Sequence, residues 1–156
     1  MRLPVLKIVF VLLAILMFAA HAHAQTDFYW TGTTGYVDVP ENWGSSFAIP
    51  GNVAGDNATI NNGGTAQVDG SHLFGGTLGF LNVGDTTGAG NISQNGGAVA
   101  TTSSVFIGSS SGTSSYELLD GTCTMGGWSA IGNGTTGSMT IGQTGSTATP
   151  SLNSPV

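Results

Sequence analysis

Two columns of three glycines recur along this chain, and the same fixed interval separates the members of each column. Those members are Gly84, Gly108 and Gly132 in the first column, and Gly97, Gly121 and Gly145 in the second. Self-similarity at a fixed period is typical of stacked-repeat proteins, in which each repeat buries its apolar face only against its neighbours. This spacing constrains the fold more than any other feature of the sequence.

The period divides much of the chain into three units, residues 81–104, 105–128 and 129–152. Each unit opens with a short predicted strand that ends at the first glycine column, and the preceding apolar residues are Val83, Ile107 and Ile131. A second strand follows near residues 91–94, 116–119 or 139–141. In the third unit we match Gly137 with Gly112, which makes the loop between the two strands one residue longer than in the second unit. We also match Thr147 with Cys123 and Val99.

Short alternating apolar segments separated by glycine and Asn-Gly turns indicate β structure. The 26 glycines would break helices throughout the chain. A constant unit of about 24 residues fits one coil of a β-solenoid, in which equivalent strands stack about 4.8 Å apart. A β-propeller, whose blades take about 40 residues, and a flexible low-complexity chain are the alternatives.

Residues 1–24 have the order of a secretory signal peptide. Arg2 and Lys7 precede an apolar run over residues 8–20, and Ala22-His23-Ala24 supplies small residues before a cut at Gln25. The run is shorter than the roughly 20 residues of a membrane span, although an uncleaved anchor is the alternative. We expect residues 25–156 to form the mature, secreted chain, which does not span a membrane.

The predicted mature chain contains no Lys and no Arg. The whole chain has a formal charge of −6, so removal of Arg2 and Lys7 leaves −8 from the eight acids. Nucleic-acid binding requires basic side chains against the phosphates, so it is excluded as a function. Phosphate esters and anionic lipid heads are disfavoured for the same reason.

Two further features concern the interior. Cys123 is the only cysteine, so no intrachain disulfide can form, and its repeat position predicts a small buried hydrophobe; a reactive thiol is the alternative. Six aromatic residues cluster within 20 positions: Phe28, Tyr29, Trp30, Tyr36, Trp43 and Phe47. We expect this cluster to cap the open end of the solenoid, while a sugar-stacking platform built on Trp30 and Trp43 is the alternative.

The segments Trp30-Thr31-Gly32, Asn42-Trp43, Ile49-Pro50-Gly51 and Asp56-Asn57-Ala58-Thr59-Ile60 resemble the start of many secreted bacterial repeat proteins. The units that follow are similar to the autotransporter/PEP-CTERM-associated repeat, chiefly through residues 81–84 with 88–90 and residues 105–108 with Gly112. This resemblance implies an all-β, right-handed parallel β-helix that is exported and often displayed on the cell surface.

The domain organisation expected from these patterns has three parts. Residues 1–24 form the signal peptide, residues 25–60 the aromatic cap and first strands, and residues 61–156 the solenoid repeats. The relatives continue with more repeats and an anchor, which the segment ending at Val156 does not show. We therefore expect either a fragment of a longer surface protein or a small secreted form.

Candidate catalytic and metal-binding residues are few. Asp56, Asp69, Asp85 and Asp120 are the acids that could form a hydrolase pair, but each lies beside glycine or in a polar turn, where Asp typically makes an Asx-turn. His72 has no second histidine or cysteine nearby for zinc. A repeated calcium site is disfavoured because Asp85 becomes Ser109 and Asn133 in the next units, which leaves at most an isolated site.

These observations assign no catalytic, cofactor-binding or metal-ligating residue and predict no cofactor. We expect a non-enzymatic exported solenoid with a structural or adhesive role, whose partners are extracellular glycans or cell-surface components. The alternative is a carbohydrate-binding or polysaccharide-degrading β-helix. The sequence leaves the ligand and the oligomeric state open.

Overall fold

The computed structural model describes residues 24–110, 112–142 and 151–153. Within them lie one short 3₁₀ helix, Pro40–Trp43, and eleven strands. The strands are β1 (Asp27–Tyr29), β2 (Thr34–Tyr36), β3 (Asn57–Ile60), β4 (Thr65–Asp69), β5 (Leu81–Val83), β6 (Asn91–Ala100), β7 (Val105–Ile107), β8 (Thr113–Thr124), β9 (Ala130–Ile131), β10 (Thr136–Ile141) and β11 (Ser151–Asn153). In this part of the chain no helix is long and apolar enough to cross a membrane.

All the strand pairs are parallel, and the chain winds from one sheet to the other and back. One sheet has the order β1-β3-β5-β7-β9, and the other has the order β10-β8-β6-β4-β2. Strands β6 and β8 continue past a bend, so that residues 98–100 pair with 122–124 and residues 122–124 pair with β11. These pairings form a third side. The predicted β-solenoid, with one coil for each repeat unit, is confirmed.

The glycine columns lie at the corners of the coils. Gly84, Gly108 and Gly132 have φ values of 79°, 70° and 72°, which place them in the left-handed region where a side chain is disfavoured. Gly97 and Gly121 have φ values of 68° and 89° and lie at the bends of β6 and β8. Gly145 falls outside the described residues. The glycine period therefore records where each coil turns.

In the sheet that contains β1, β3, β5, β7 and β9, the register departs from the repeat period most strongly at the N-terminal end. Leu81 pairs with Val105 and Phe106 with Ala130, in each case exactly one repeat unit further along the chain. Asp27 instead pairs with Asn57 across a sequence separation of 30. The first coil is longer because residues 37–56 include the 3₁₀ helix and the turns around it.

The predicted match of Gly137 with Gly112 is wrong. Gly137 pairs with Ser114, so the third loop is one residue shorter than the second, not one longer. Gly112 is a glycine because its φ is 71°, whereas Gly137 is one because a Cβ there would clash with the carbonyl of Ile107. A positive φ and a close backbone contact both require glycine, and the sequence does not distinguish the two reasons.

Val99 pairs with Cys123 as expected, but the expected pairing of Cys123 with Thr147 is not the one observed. Cys123 pairs with Leu152, beyond the expected repeat position, and Thr147 lies outside the described residues. Cys123 itself is fully buried, as predicted. Burial raises the pKa of its thiol, so the group stays protonated at neutral pH and is a poor nucleophile.

The aromatic cluster has buried members, which include Trp30 and Trp43, and exposed members, which are Tyr29, Tyr36 and Phe47. The rings of Trp30 and Trp43 are buried and meet edge to face at 4.9 Å, and Trp43 also packs on Phe74 at 6.0 Å. The indole Nε1–H of Trp43 donates a 2.8 Å hydrogen bond to the carbonyl of Val37. These buried rings form the predicted cap. A sugar-stacking platform on the two tryptophans is contradicted because neither ring faces solvent.

Candidate functional site: an exterior aromatic row

Three aromatic side chains line the outside of the sheet that contains β5, β7 and β9. We call Phe80, Phe106 and Trp128 the aromatic row. The rings of Phe80 and Phe106 stack with centroids 6.5 Å apart, and those of Phe106 and Trp128 meet edge to face at 5.7 Å. Trp128 is 70% exposed. The row joins three successive coils.

The strand alternation explains why these residues point outward. Phe106 lies between Val105 and Ile107, which are both buried, so its own side chain faces the other side of the sheet. Phe80 directly precedes the buried Leu81 that begins β5. Residues that are offset by two positions on neighbouring strands remain within reach of large rings. The row is therefore a diagonal contact between coils.

Sequence reasoning missed the row because its spacing does not follow the repeat. An exact repeat of Phe80 falls at Ser104, two positions before Phe106, and an exact repeat of Phe106 falls at Ala130, two positions after Trp128. The row thus shifts first in one direction and then in the other. The sequence did contain a signal for the row. Phe80 and Phe106 each lie next to an apolar residue of the repeat, and Trp128 lies two residues before Ala130.

Amides and hydroxyls surround the row on the same sheet. Asn82 pairs in register with Phe106, and its Nδ2 donates a 3.2 Å hydrogen bond to Oγ1 of Thr59. Oδ1 of Asn57 accepts a 2.8 Å hydrogen bond from the backbone N–H of Phe80. Residues 25–156 contain no Lys or Arg. This face offers ring surfaces and neutral polar groups, which suit an uncharged ligand.

A second surface feature lies at the N-terminal end of the other sheet. The Tyr36 ring stacks on the His72 ring at 3.8 Å, and Nδ1 of His72 lies 3.0 Å from Oδ2 of Asp38. Beside them is a shallow cleft of about 200 Å³, lined in part by Tyr36, Asp69 and Asn95. The described residues contain no group of three or more His, Cys, Asp or Glu side chains able to hold a metal ion.

Each acid considered for catalysis holds a backbone group of the fold. The buried carboxylate of Asp56 accepts hydrogen bonds from the N–H groups of Thr26 and Val53, at 3.1 and 3.0 Å. Asp69 accepts from the N–H groups of Ser71 and His72, and these bonds lower its pKa.

Of the other two acids, Asp85 lies in a loop after β5 and Asp120 lies within β8 at its bend. Burial raises the pKa of Asp85, but hydrogen bonds from Thr87 and Asn61 outweigh it and leave the pKa below its usual value. Asp120 accepts from the N–H of Gly121 at 2.7 Å. Asp69 and Asp120 lie in one ladder with Asn95 between them, so they are two coils apart. Asp69 and Asp85 make the turn contacts predicted for them, whereas Asp120 is a strand residue that accepts from the N–H of the next residue.

Comparison with known proteins found no matching family model, no matching curated protein and no matching solved structure.

Proposed function

We propose that this protein is an exported, non-enzymatic β-solenoid with a structural or adhesive role at the bacterial cell surface or in the extracellular matrix. The aromatic row is the observation that carries the proposal. Monomeric soluble proteins seldom expose large contiguous apolar patches, and those that do commonly use them for interaction. The signal-peptide pattern of residues 1–24 supports export.

The proposed family is that of the autotransporter/PEP-CTERM-associated repeat proteins. The head pattern from Trp30 to Ile60 and the glycine-rich units support this assignment. The parallel solenoid agrees with the fold that the resemblance implies. The family is therefore part of the proposal, together with display at the surface.

The row would bind by stacking and desolvation. Aromatic rings bury a large area, and their edges and faces accommodate the apolar faces of sugars or other rings. Asn82 lies on the same sheet and supplies a neutral amide, which the buried hydroxyl of Thr59 holds by a hydrogen bond. Because the mature chain carries eight acids and no Lys or Arg, an anionic polymer would be repelled.

Carbohydrate binding is the second candidate function. Burial of Trp30 and Trp43 removes the residues on which the sequence based it, but the exposed row provides another platform. Polysaccharide degradation has less support, because the carboxylates of Asp56, Asp69, Asp85 and Asp120 are engaged in hydrogen bonds within the fold. The second candidate is therefore a binding protein and not an enzyme.

A retention assay tests the adhesive proposal. The mature chain is passed over neutral polysaccharide, anionic polysaccharide and hydrophobic matrices, beside a variant with Phe80→Ser, Phe106→Ser and Trp128→Ser. We expect the wild type to be retained on the neutral and hydrophobic matrices, and the variant to lose about tenfold or more in affinity, since each stacked ring contributes about 1 kcal/mol or more. If the triple variant is unstable, the retention of the single variant Trp128→Ser is measured instead.

The matched control for this assay is Phe47→Ser. Phe47 is 93% exposed and lies in the loop after the 3₁₀ helix, outside the strands of the sheet that carries the row. Equal retention of wild type and Trp128→Ser, or an equal loss in Phe47→Ser, would contradict a role for the row. Competition by soluble neutral oligosaccharides on every matrix would favour the carbohydrate-binding candidate over general adhesion.

A further inference from the structure

The two ends of the solenoid close differently. At the N-terminal end, Phe28 and Trp30 point inward and are only 8% and 2% exposed. At the C-terminal end, Ile131 and Ile141 also occupy inward positions, yet they are 51% and 49% exposed. One end of the core is covered by aromatic rings, and the other presents aliphatic side chains to solvent.

The register shows that these isoleucines belong to interior ladders. Ile131 pairs with Ile107, which pairs with Val83, and both of those residues are buried. Ile141 pairs with Leu118, which is also fully buried. In each earlier coil the same position is covered by the following coil. The exposed isoleucines therefore mark a surface suited to one more layer of β structure.

The edges at this end lack the usual protection against strand pairing. Within the described residues, β9 and β10 each pair with a neighbour on one side only, and β11 lies at the same end, where it pairs with the second half of β8. Exposed edges are commonly protected by charged side chains or by proline. Neither β9 nor β10 contains a charged residue or a proline.

The charge distribution separates the two ends further. Asp27, Asp38 and Glu41 lie around β1 and β2 at the N-terminal end. After Asp120 the sequence contains no Asp, Glu, Lys, Arg or His as far as Val156. Two copies of an acidic chain repel each other least where acids are absent. Glu117 and Asp120 lie on β8, one strand away from this edge, whereas β9 and β10 themselves carry no charge, so repulsion between two copies is smallest at these two strands.

We propose that a second copy of this chain docks on the C-terminal end to form a two-fold symmetric dimer. Strand β10 of one copy pairs antiparallel with β10 of the other, since a two-fold axis reverses the strand direction. The docked copy covers Ile131 and Ile141 of its partner. Assembly stops at two copies because the capped, acidic N-terminal end offers no complementary surface.

Sedimentation velocity of the mature chain, from low to high micromolar concentration, tests this dimer. We expect a monomer–dimer equilibrium that Thr140→Lys weakens by about tenfold or more, since a lysine on an edge strand opposes pairing with a second strand. Thr140 is exposed and pairs in register with Glu117, so a lysine there gains an opposite charge within the monomer. The fold of each variant is checked by its urea midpoint.

Thr34→Lys is the matched control. Thr34 is an exposed threonine on β2, the edge strand at the opposite end, and the substitution adds the same charge. We expect it to leave the dimer unchanged. A monomer at every concentration would overturn the proposal, as would equal weakening by both variants. Polymers longer than two copies would also overturn it, because they require head-to-tail stacking.

Hydrogen exchange of the wild type gives a test that needs no variant. We expect the amides of β10 to become protected as the concentration rises. Protection that is already complete at the lowest concentration, where the chain sediments as a monomer, would overturn the proposal and indicate that another part of the same chain covers this edge.

Discussion

The phenol hydroxyl of Tyr116 donates a 2.6 Å hydrogen bond to Oε1 of Gln94 inside the solenoid. Both side chains are completely buried. The amide Nε2 of Gln94 donates in turn to the carbonyls of Gly97 and Thr122, at 3.3 and 3.0 Å. Gln94 thus satisfies backbone groups at the bend where β6 and β8 leave one side for the next.

Because of this hydrogen bond, we expect substitutions of Tyr116 and Gln94 to have non-additive effects on the free energy of unfolding. Tyr116→Phe removes the donor and leaves Oε1 of Gln94 without it, which we expect to lower the free energy of unfolding by about 1–3 kcal/mol. Gln94→Leu removes the acceptor of the hydroxyl and the donor to the carbonyls of Gly96, Gly97 and Thr122, and it should cost more. Urea unfolding of both variants and the double variant measures the coupling. Additive losses would show that the two residues act independently.

Much of the fold could be predicted from the glycine period, because left-handed corners and stacked turns both require glycine at fixed intervals. Gly84 and Gly108 illustrate this. The register of Gly137 could not be predicted, because close packing against Ile107 demands the same residue type for another reason. The length of the first coil also could not be predicted from the glycine period, since residues 37–56 precede the regular repeat.

The candidate site was less predictable than the fold. The aromatic row depends on which outward positions of adjacent coils carry rings, and the contact is diagonal. A search for identical positions at the repeat interval therefore passes over Phe80, Phe106 and Trp128. The buried state of Trp30 and Trp43 followed from the need to cover the end of the core, which composition alone left open between cap and platform.

The tryptophan cap is expected to make a large contribution to stability. Trp43→Ala removes a buried ring that contacts Trp30 and Phe74, and we expect the free energy of unfolding to fall by about 3–5 kcal/mol. Phe47→Ala, at a position 93% exposed, should change it by about 0.5 kcal/mol or less. Urea unfolding measures both. Similar effects in the two variants would refute the cap.

The bend glycines are expected to reject side chains. Gly121 has a φ of 89°, and a Cβ there would clash with the carbonyl of Gly97. We expect Gly121→Ala to destabilise the protein by about 1–3 kcal/mol or more. Gly70 has open space around it, so Gly70→Ala should be tolerated. Thermal unfolding that ranks the two variants in the opposite order would show that the bend is misassigned.

Acid should destabilise the protein through its turn carboxylates. The folded-state pKa values of Asp69 and Asp85 lie below the ordinary value of 3.8, so their contribution is present above that value and is lost as the pH falls through the folded pKa. We expect the urea midpoint to fall below about pH 4. Asp85→Asn should make that fall shallower. Parallel curves for the variant and wild type would count against this origin.

We propose that the protein works outside the cell as an exported solenoid. The most direct test of this proposal is the intact mass and the compartment of the protein recovered from the organism that makes it, with the N-terminal peptide identified. We expect a chain that begins at Gln25 in the surface or extracellular fraction. A chain that retains residues 1–24 and remains in the cytoplasm would contradict it.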